Sequence, residues 1–165
     1  MGAFHKKIGL AADIAIILVA IMIGAVLVQR YFSPRPAQPS ETVALGTKVS
    51  LPGVEWTKNG KTLLVALQVG CRFCSESASF YQRVVQTAND KGVKVVAVLP
   101  QLPTESKDYL RTLAIPISDV RQASLASLSV GGTPTLILVN EKGEVAGVWV
   151  GKLPGDKEAE VLSHL

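Results

Sequence analysis

The chain has 165 residues, enough for one ordinary domain with an additional segment. Its formal net charge at pH 7 is only +4, and aromatic residues make up 5% of the chain. Nucleic-acid binding needs a clustered basic face or a platform of stacking aromatics, so this composition argues against that class of protein. The mean hydropathy of +0.32 is high for a soluble protein, and the apolar excess is concentrated near the N-terminus.

The N-terminal segment has the pattern of a membrane anchor. Residues 1–7 are short and basic, and residues 8–28 are a nearly unbroken apolar run, long enough to cross a bilayer as a helix. The alternative is a cleaved signal peptide, but its apolar core is usually shorter and ends at a small-x-small site, which the residues after Val28 do not offer. Lys6 and Lys7 give a slight positive-inside bias. We therefore expect a short cytoplasmic N-terminus, a single-pass anchor in the cell membrane and a C-terminal domain on the extracytoplasmic, periplasmic side.

The next segment predicts a spacer and the start of a domain. Residues 29–45 contain three prolines, which favour an extended linker over a helix. The folded domain is expected to span residues 46–165. Its first elements are predicted as two short strands or a hairpin at residues 49–51 and 54–56.

Two cysteines lie between a predicted strand and a predicted helix. Residues 62–69 are an apolar run typical of a buried strand, and residues 75–90 have a helical pattern. Cys71 and Cys74 form a Cys-x-x-Cys motif at the junction and are the only cysteines of the chain. Near a helix N-terminus, free N–H groups and the helix dipole stabilise a thiolate, which is the reactive form of cysteine. Arg72 adds a positive charge, so the motif predicts a dithiol/disulfide switch.

A zinc site and a purely structural disulfide are weaker interpretations of the motif. A structural zinc site needs about four ligands. No further cysteine exists, and His5 and His164 lie at the chain ends. A purely structural disulfide usually joins distant segments, where closing the loop contributes more stability. The sequence therefore predicts neither a metal site nor a bound cofactor.

The rest of the domain alternates between helix and strand patterns. Within the long helix, four apolar residues at helical spacing are expected to face the sheet: Phe80, Val84, Val85 and Ala88. Gly92 is predicted to end this helix. The following predicted elements are a strand over residues 93–99, a helix through Leu113 capped by Thr104, and an edge strand over 115–118. After them come a helix over 120–128 capped by Asp119, strands over 136–140 and 144–150 joined by a hairpin turn, and a closing helix over 154–165. This order predicts an α/β domain with a mixed sheet.

From about residue 46 to the C-terminus, the ordered features resemble the thioredoxin fold. They are most similar to membrane-anchored thiol-disulfide oxidoreductases of the TlpA/ResA type. The resemblance rests on the N-terminal anchor, the Cys-x-x-Cys motif, the extra segment of residues 100–118, Asp119, and the run Val-Gly-Gly-Thr-Pro-Thr at residues 130–135. It implies a thioredoxin-like fold, with a mixed central sheet flanked by helices, preceded by one transmembrane helix.

The resemblance also implies roles for individual residues. Cys71 would be the exposed attacking thiol and Cys74 the sheltered resolving thiol, the two forming a redox-active disulfide. Pro134 would be a cis-proline facing the sulfurs, and the backbone of Thr133 would bind an extended substrate segment. The implied partners are protein thiol or disulfide substrates and a membrane electron donor or acceptor that restores the dithiol.

Some positions depart from the family pattern. Gly70 replaces the usual Trp before the first cysteine, and Val65 occupies the place where many thioredoxins bury a carboxylate. Glu76 is one position earlier than the Glu of ResA-type proteins, which makes it a candidate proton relay, and Arg72 is a candidate for tuning the thiolate.

The direction of exchange is open at this point. The resemblance favours a reductant, for example of apocytochrome c cysteines, and the alternative is a disulfide-donating oxidase. A metal-delivery module and a peroxiredoxin-like peroxidase are further alternatives, although the Thr-x-x-Cys setting of a peroxidase is absent.

Overall fold

The computed structural model describes residues 43–165 and, before them, only Val19 and Met22. The folded domain lies within the unit Pro39–Leu165. Apart from Val19 and Met22, the predicted anchor lies outside the described residues, as does most of the predicted linker. No helix among the described residues is both long and apolar enough to span a bilayer.

The domain is built on a five-stranded mixed sheet with the strand order β3-β2-β1-β4-β5. The strands are β1 (Thr62–Ala66), β2 (Lys94–Leu99), β3 (Asp119–Gln122), β4 (Thr135–Val139) and β5 (Val145–Val150). β2 runs parallel to β1 and β3, whereas β4 runs antiparallel to β1 and β5. The helices are α1 (Trp56–Asn59), α2 (Arg72–Glu76), α3 (Ala78–Asp90), α4 (Pro103–Thr112) and α5 (Gly155–His164), with a 3₁₀ turn at Ala126–Leu128. The predicted mixed α/β sheet is confirmed.

The sheet separates two apolar clusters. Successive side chains of a strand point to opposite faces, and every residue of β1 is buried. Leu63 and Val65 belong to the cluster that also contains Cys74, which we call the cysteine-side core. Leu64 and Ala66 belong to the second cluster, which we call the far-side core.

The long predicted helix is interrupted, although its buried face is as expected. Phe80, Val84, Val85 and Ala88 are all buried, which confirms the predicted contact face. The prediction of one helix over residues 75–90 is wrong, because α2 ends at Glu76 and α3 begins at Ala78. The intervening Ser77 donates its hydroxyl proton to the Phe73 carbonyl at 2.9 Å. A serine that bonds back to the preceding turn competes with regular helix geometry.

The predicted strands at residues 49–51 and 54–56 are wrong. The chain turns between them, where Gly53 has a φ of +76° and Val54 N–H bonds to the Leu51 carbonyl. Trp56 then begins the single turn of α1 and donates its indole N–H to the Val49 carbonyl at 3.1 Å. Before the turn, Val49 N–H also bonds to the Gly143 carbonyl at 2.8 Å, beside an isolated bridge between Lys48 and Glu144. The segment is thus held by a turn, a side-chain bond and this short bridge, and not by a strand ladder.

The region after α4 also differs from the prediction. The edge strand is Asp119–Gln122, not residues 115–118, and the only helical part of residues 120–128 is the 3₁₀ turn Ala126–Leu128. Asp119 does not cap a helix, because its carboxylate binds Arg121 at 2.6 Å and Lys94 of the neighbouring strand at 3.1 Å. The pair with Lys94 links β3 to β2, whereas the pair with Arg121 lies within β3. Local sequence does not reveal the link between the two strands.

The prediction that Thr104 caps α4 is wrong, because the helix begins earlier. Leu102 is the N-cap, and Pro103 is the first helical residue. The fixed φ of proline suits the first turn, where its missing N–H costs nothing.

Candidate active site

The cysteine motif lies where the central strand β1 leads into α2. Cys71 is the N-cap of α2, as the predicted strand-to-helix junction requires. The preceding Gly70 has a φ of +79°, a left-handed conformation that glycine adopts without steric cost. A tight turn also forms here, since Cys71 N–H bonds to the Gln68 carbonyl at 3.2 Å. The backbone conformation therefore favours glycine at position 70.

The two sulfurs are in different environments. Cys71 and Cys74 are joined by a disulfide. Cys74 is completely buried in the cysteine-side core, whereas Cys71 is partly exposed. The Cys74 backbone N–H points at the Cys71 sulfur, with a nitrogen-to-sulfur distance of 3.1 Å. A donor in this position stabilises negative charge on Cys71 when the disulfide is opened.

The loop before β4 lies against the exposed sulfur. The Thr133–Pro134 peptide bond is cis, as the family resemblance implied. The Thr133 carbonyl oxygen lies 3.5 Å from the Cys71 sulfur. The Pro134 carbonyl accepts a hydrogen bond from Gly151 N–H at 2.7 Å, which ties this loop to the end of β5. The structure therefore brings Thr133 and Pro134 to the cysteine motif across 62 positions of sequence.

The two charged candidates pair with each other. Arg72 Nε lies 2.7 Å from Glu76 Oε1, and Lys152 Nζ lies 2.9 Å from Glu76 Oε2. Hydrogen bonds from Lys152 and Arg72 lower the pKa of Glu76 below its ordinary value. A carboxylate with a lowered pKa is a poorer proton acceptor at neutral pH. Neither side chain makes a hydrogen bond to a sulfur within residues 43–165, so their suggested roles in thiolate tuning and proton relay stay predictions.

Sequence analysis did not find two contacts made by the segment after β2. The Tyr109 hydroxyl of α4 reaches the Cys71 carbonyl at 3.5 Å and the Ser75 hydroxyl at 3.3 Å. Gln101 accepts a hydrogen bond from Val69 N–H at 3.4 Å. Both contacts join residues more than 30 positions apart, and no local pattern marks such pairs.

Exposed apolar side chains lie at the same end of the sheet as the sulfurs. Phe73 within the motif is 52% exposed, Leu102 at the start of α4 is 61% exposed, and Val150 at the end of β5 is 54% exposed. Val150 pairs with Thr135, which directly follows the cis-proline. We call these three residues the apolar rim.

The described part of the chain contains no group of three or more His, Cys, Asp or Glu residues that could hold a metal ion. Chemically, the site thus offers one accessible sulfur, one buried sulfur and a backbone carbonyl beside them.

The folded domain is similar to several solved structures. One is a thiol:disulfide interchange protein DsbE from Chlorobium tepidum, with 23% identity and a TM-score of 0.58 over 73% of this chain and 99% of that chain. Another is StoA from Bacillus subtilis, with 22% identity and a TM-score of 0.52 over 76% of this chain and 98% of that chain. A third is peroxidoxin BcpB from Mycobacterium tuberculosis, with 11% identity and a TM-score of 0.55 over 73% of this chain and 97% of that chain.

No protein-family model and no curated protein sequence matches the chain. At these levels of identity, the structural likeness establishes the fold alone. The described domain therefore has a thioredoxin-like α/β fold with a mixed central sheet, and function has to be argued from the site.

Proposed function

We propose that this protein is a thiol-disulfide oxidoreductase that exchanges disulfides with protein substrates through Cys71 and Cys74. The observation that carries the proposal is the pairing of a partly exposed sulfur with a fully buried one in a disulfide. An accessible thiolate attacks, and a sheltered neighbour resolves the mixed disulfide without being captured by solvent or by a second substrate.

In the reducing direction, the Cys71 thiolate attacks one sulfur of a substrate disulfide. The substrate S–S bond breaks, a mixed disulfide forms, and the leaving substrate thiolate takes a proton from water. Cys74 then loses its proton and attacks the Cys71 sulfur, which expels the second substrate thiolate. Two electrons pass from the dithiol to the substrate disulfide, and the Cys71–Cys74 disulfide remains. The reverse sequence oxidises a substrate dithiol.

The surroundings of the sulfur suit a polypeptide substrate. The Thr133 carbonyl is available beside Cys71 to pair with the backbone of an extended segment, as in the addition of a strand. The apolar rim offers partly exposed hydrophobic side chains to flanking residues of the substrate. A small disulfide such as oxidised glutathione would use little of this surface.

The resemblance to oxidoreductases of the TlpA/ResA type supports the reducing direction. A thiolate stabilised by positive charge makes the dithiol form more stable and the pair more oxidising. Glu76 binds both Arg72 and Lys152, so its carboxylate offsets only one of the two positive charges. On the resemblance we propose a reductant, for example in cytochrome c maturation, with a disulfide-donating oxidase as the alternative.

We further propose that the domain works outside the cytoplasm while tethered to the cell membrane. The support comes from the sequence: a basic head, an apolar run at residues 8–28 and a proline-rich linker. On this proposal a membrane electron donor restores the Cys71–Cys74 dithiol after each exchange with a substrate.

The proposed activity is tested by redox titration of the full-length chain against glutathione or dithiothreitol buffers. A reduction potential near −270 mV, about that of thioredoxin, would support the reductant, and one near −120 mV would support the oxidase. The Cys74→Ser variant should accumulate a mixed disulfide with an unfolded protein that retains its disulfides, and Cys71→Ser should not. Absence of any redox transition would contradict the proposed exchange activity. Metal titration would then test the metal-delivery alternative, and peroxide consumption would test the peroxidase alternative.

A further inference from the structure

The carbonyl group of the attacking cysteine has an unusual number of hydrogen-bond donors. Ser75 approaches the Cys71 carbonyl oxygen with its backbone N–H at 3.2 Å and its hydroxyl at 3.3 Å. The Tyr109 hydroxyl approaches the same oxygen at 3.5 Å from a different helix. The first two donors belong to the turn of α2 itself, so only Tyr109 connects this carbonyl to another part of the fold.

Tyr109 is held independently of the cysteine motif. Its helix α4 is anchored by Leu110, which is 2% exposed in the cysteine-side core. The start of the helix is fixed by Ser106, whose hydroxyl donates to the Gln101 carbonyl at 3.3 Å. The ring of Tyr109 is itself partly buried against the same core. The phenol is thus presented to Cys71 by a packed element and does not depend on the conformation of α2.

Donors on this carbonyl affect the charge state of the neighbouring sulfur. The oxygen atoms of Cys71 and Thr133 are both partially negative, and the second lies 3.5 Å from the sulfur. A thiolate at Cys71 is repelled by such oxygens. A hydroxyl that donates to the Cys71 carbonyl oxygen places a partial positive charge beside it and so weakens the repulsion of the thiolate. The same hydrogen bond stabilises the turn in which Cys74 N–H points at the Cys71 sulfur.

We propose that Tyr109 is a positioning residue for the redox switch, stabilising the Cys71 thiolate through the Cys71 carbonyl. The proposal rests on the proposed exchange activity. It adds a residue outside the motif that shifts the equilibrium between the Cys71–Cys74 dithiol and the disulfide. Among the described residues the phenol makes no hydrogen bond to either sulfur, and it acts through the Cys71 carbonyl and the Ser75 hydroxyl.

The test uses Tyr109→Phe in the full-length chain, since this change removes one hydroxyl and keeps the ring. A long hydrogen bond between neutral groups contributes at the low end of the usual range, so we expect about a threefold change. The pKa of Cys71, followed by the pH dependence of its alkylation rate, should rise. The equilibrium with glutathione should shift about threefold toward the disulfide, which corresponds to ~15 mV toward a more reducing pair.

Tyr81→Phe is the matched control. Tyr81 also packs in the cysteine-side core, but its hydroxyl interacts with Ser77 and, among the described residues, makes no hydrogen bond to Cys71 or Ser75. It should leave both the Cys71 pKa and the glutathione equilibrium unchanged. Both variants keep every charged group near the motif, so neither changes the surrounding charge. These groups are Arg72 and Glu76 of α2, Lys152 after β5, and Glu105, Lys107, Asp108 and Arg111 of α4.

A second variant keeps the test decisive if Tyr109→Phe does not fold. Ser75→Ala removes another hydroxyl from the same carbonyl at an exposed position, and it should shift both readouts in the same direction. Wild-type values in Tyr109→Phe, or equal shifts in Tyr109→Phe and Tyr81→Phe, would overturn the positioning role while leaving the exchange activity intact. A wild-type chain without a redox transition would instead overturn the proposed function itself.

Discussion

Gly147 is predicted to be a position where a single methyl group destabilises the domain. A Cβ atom added to this residue of β5 would lie 2.6 Å from Trp149 Cη2 and 3.0 Å from Trp149 Cζ3. Real Cβ contacts are almost never this short, so the indole would have to move. It is confined, because Trp149 is only 8% exposed and its Nε1–H donates to Glu160 of α5 at 2.9 Å. The His164 ring, with its centroid 5.6 Å away, packs edge-on against the indole.

The expected magnitude follows from two opposing effects. Forcing extra atoms into a packed site costs about 1–3 kcal/mol. Replacing glycine within a strand by alanine recovers about 0.5–1 kcal/mol of conformational entropy, since Gly147 does not have a left-handed φ. We therefore expect Gly147→Ala to lower the free energy of unfolding by about 1–2 kcal/mol, which corresponds to a decrease in Tm of ~4–8 °C for a domain of this size.

The measurement is urea unfolding followed by far-ultraviolet circular dichroism, because tryptophan fluorescence would report the moved indole directly. Gly155→Ala is the matched control, since no atom lies within 4 Å of its added Cβ and its φ is also not left-handed. It should change the unfolding free energy by less than about 0.5 kcal/mol. The double variant Gly147→Ala/Trp149→Phe should be less destabilised than the sum of the single variants, because the smaller ring leaves room for the methyl group.

Two results would refute this reasoning. One is a Gly147→Ala midpoint equal to that of the wild type. The other is strict additivity in the double variant, which would show that the methyl group and the indole do not compete for the same space.

Two further predictions concern the surface of the site. In Lys152→Met, the pKa of Glu76 should rise toward its ordinary value, because the hydrogen bond from Lys152 is the main cause of its decrease, ahead of the bond from Arg72. A lowered carboxyl pKa stabilises the fold above the unfolded-state pKa, and this contribution is lost as the pH falls through the folded-state value. The variant should thus lose less of its stability on acidification, and a carboxyl NMR titration that finds Glu76 unmoved would contradict the ion pair. Phe73→Ser should slow exchange with an unfolded disulfide protein up to about tenfold more than exchange with glutathione, since the half-exposed ring can still bury apolar area on a polypeptide. Equal slowing of the two reactions, measured by parallel kinetics, would argue against substrate contact by the apolar rim.

The parts of the fold that the sequence predicts well are those with a strong apolar period. Many apolar residues at the same spacing indicate the central strands and the buried face of α3, for example Phe80, Val84 and Ala88 in α3. The wrong predictions fall in segments where a few polar contacts determine the conformation of the backbone. Aspartate is a common helix cap, but Asp119 pairs with Lys94 of the neighbouring strand β2, which is 25 positions away in sequence.

The candidate site shows the same division. Cys71 and Cys74 are separated by two residues, so their pairing can be predicted from local sequence, and the position of Pro134 followed from a family resemblance. The contact of Tyr109 with Cys71 depends on where α4 packs, which no residue near the motif encodes. The pairing of Glu76 with Lys152 likewise spans 76 positions.

The division of the apolar interior by the sheet has a practical consequence for protein engineering. The two sulfurs border the cysteine-side core, whereas Leu64, Leu128 and Ile137 pack in the far-side core behind the sheet. Substitutions for thermostability can therefore be confined to far-side positions other than Val130, which leads into the loop beside Cys71. Random libraries restricted to these far-side positions should yield variants whose melting temperatures vary widely. The reduction potentials of the Cys71–Cys74 pair in these variants should remain close to that of the wild type.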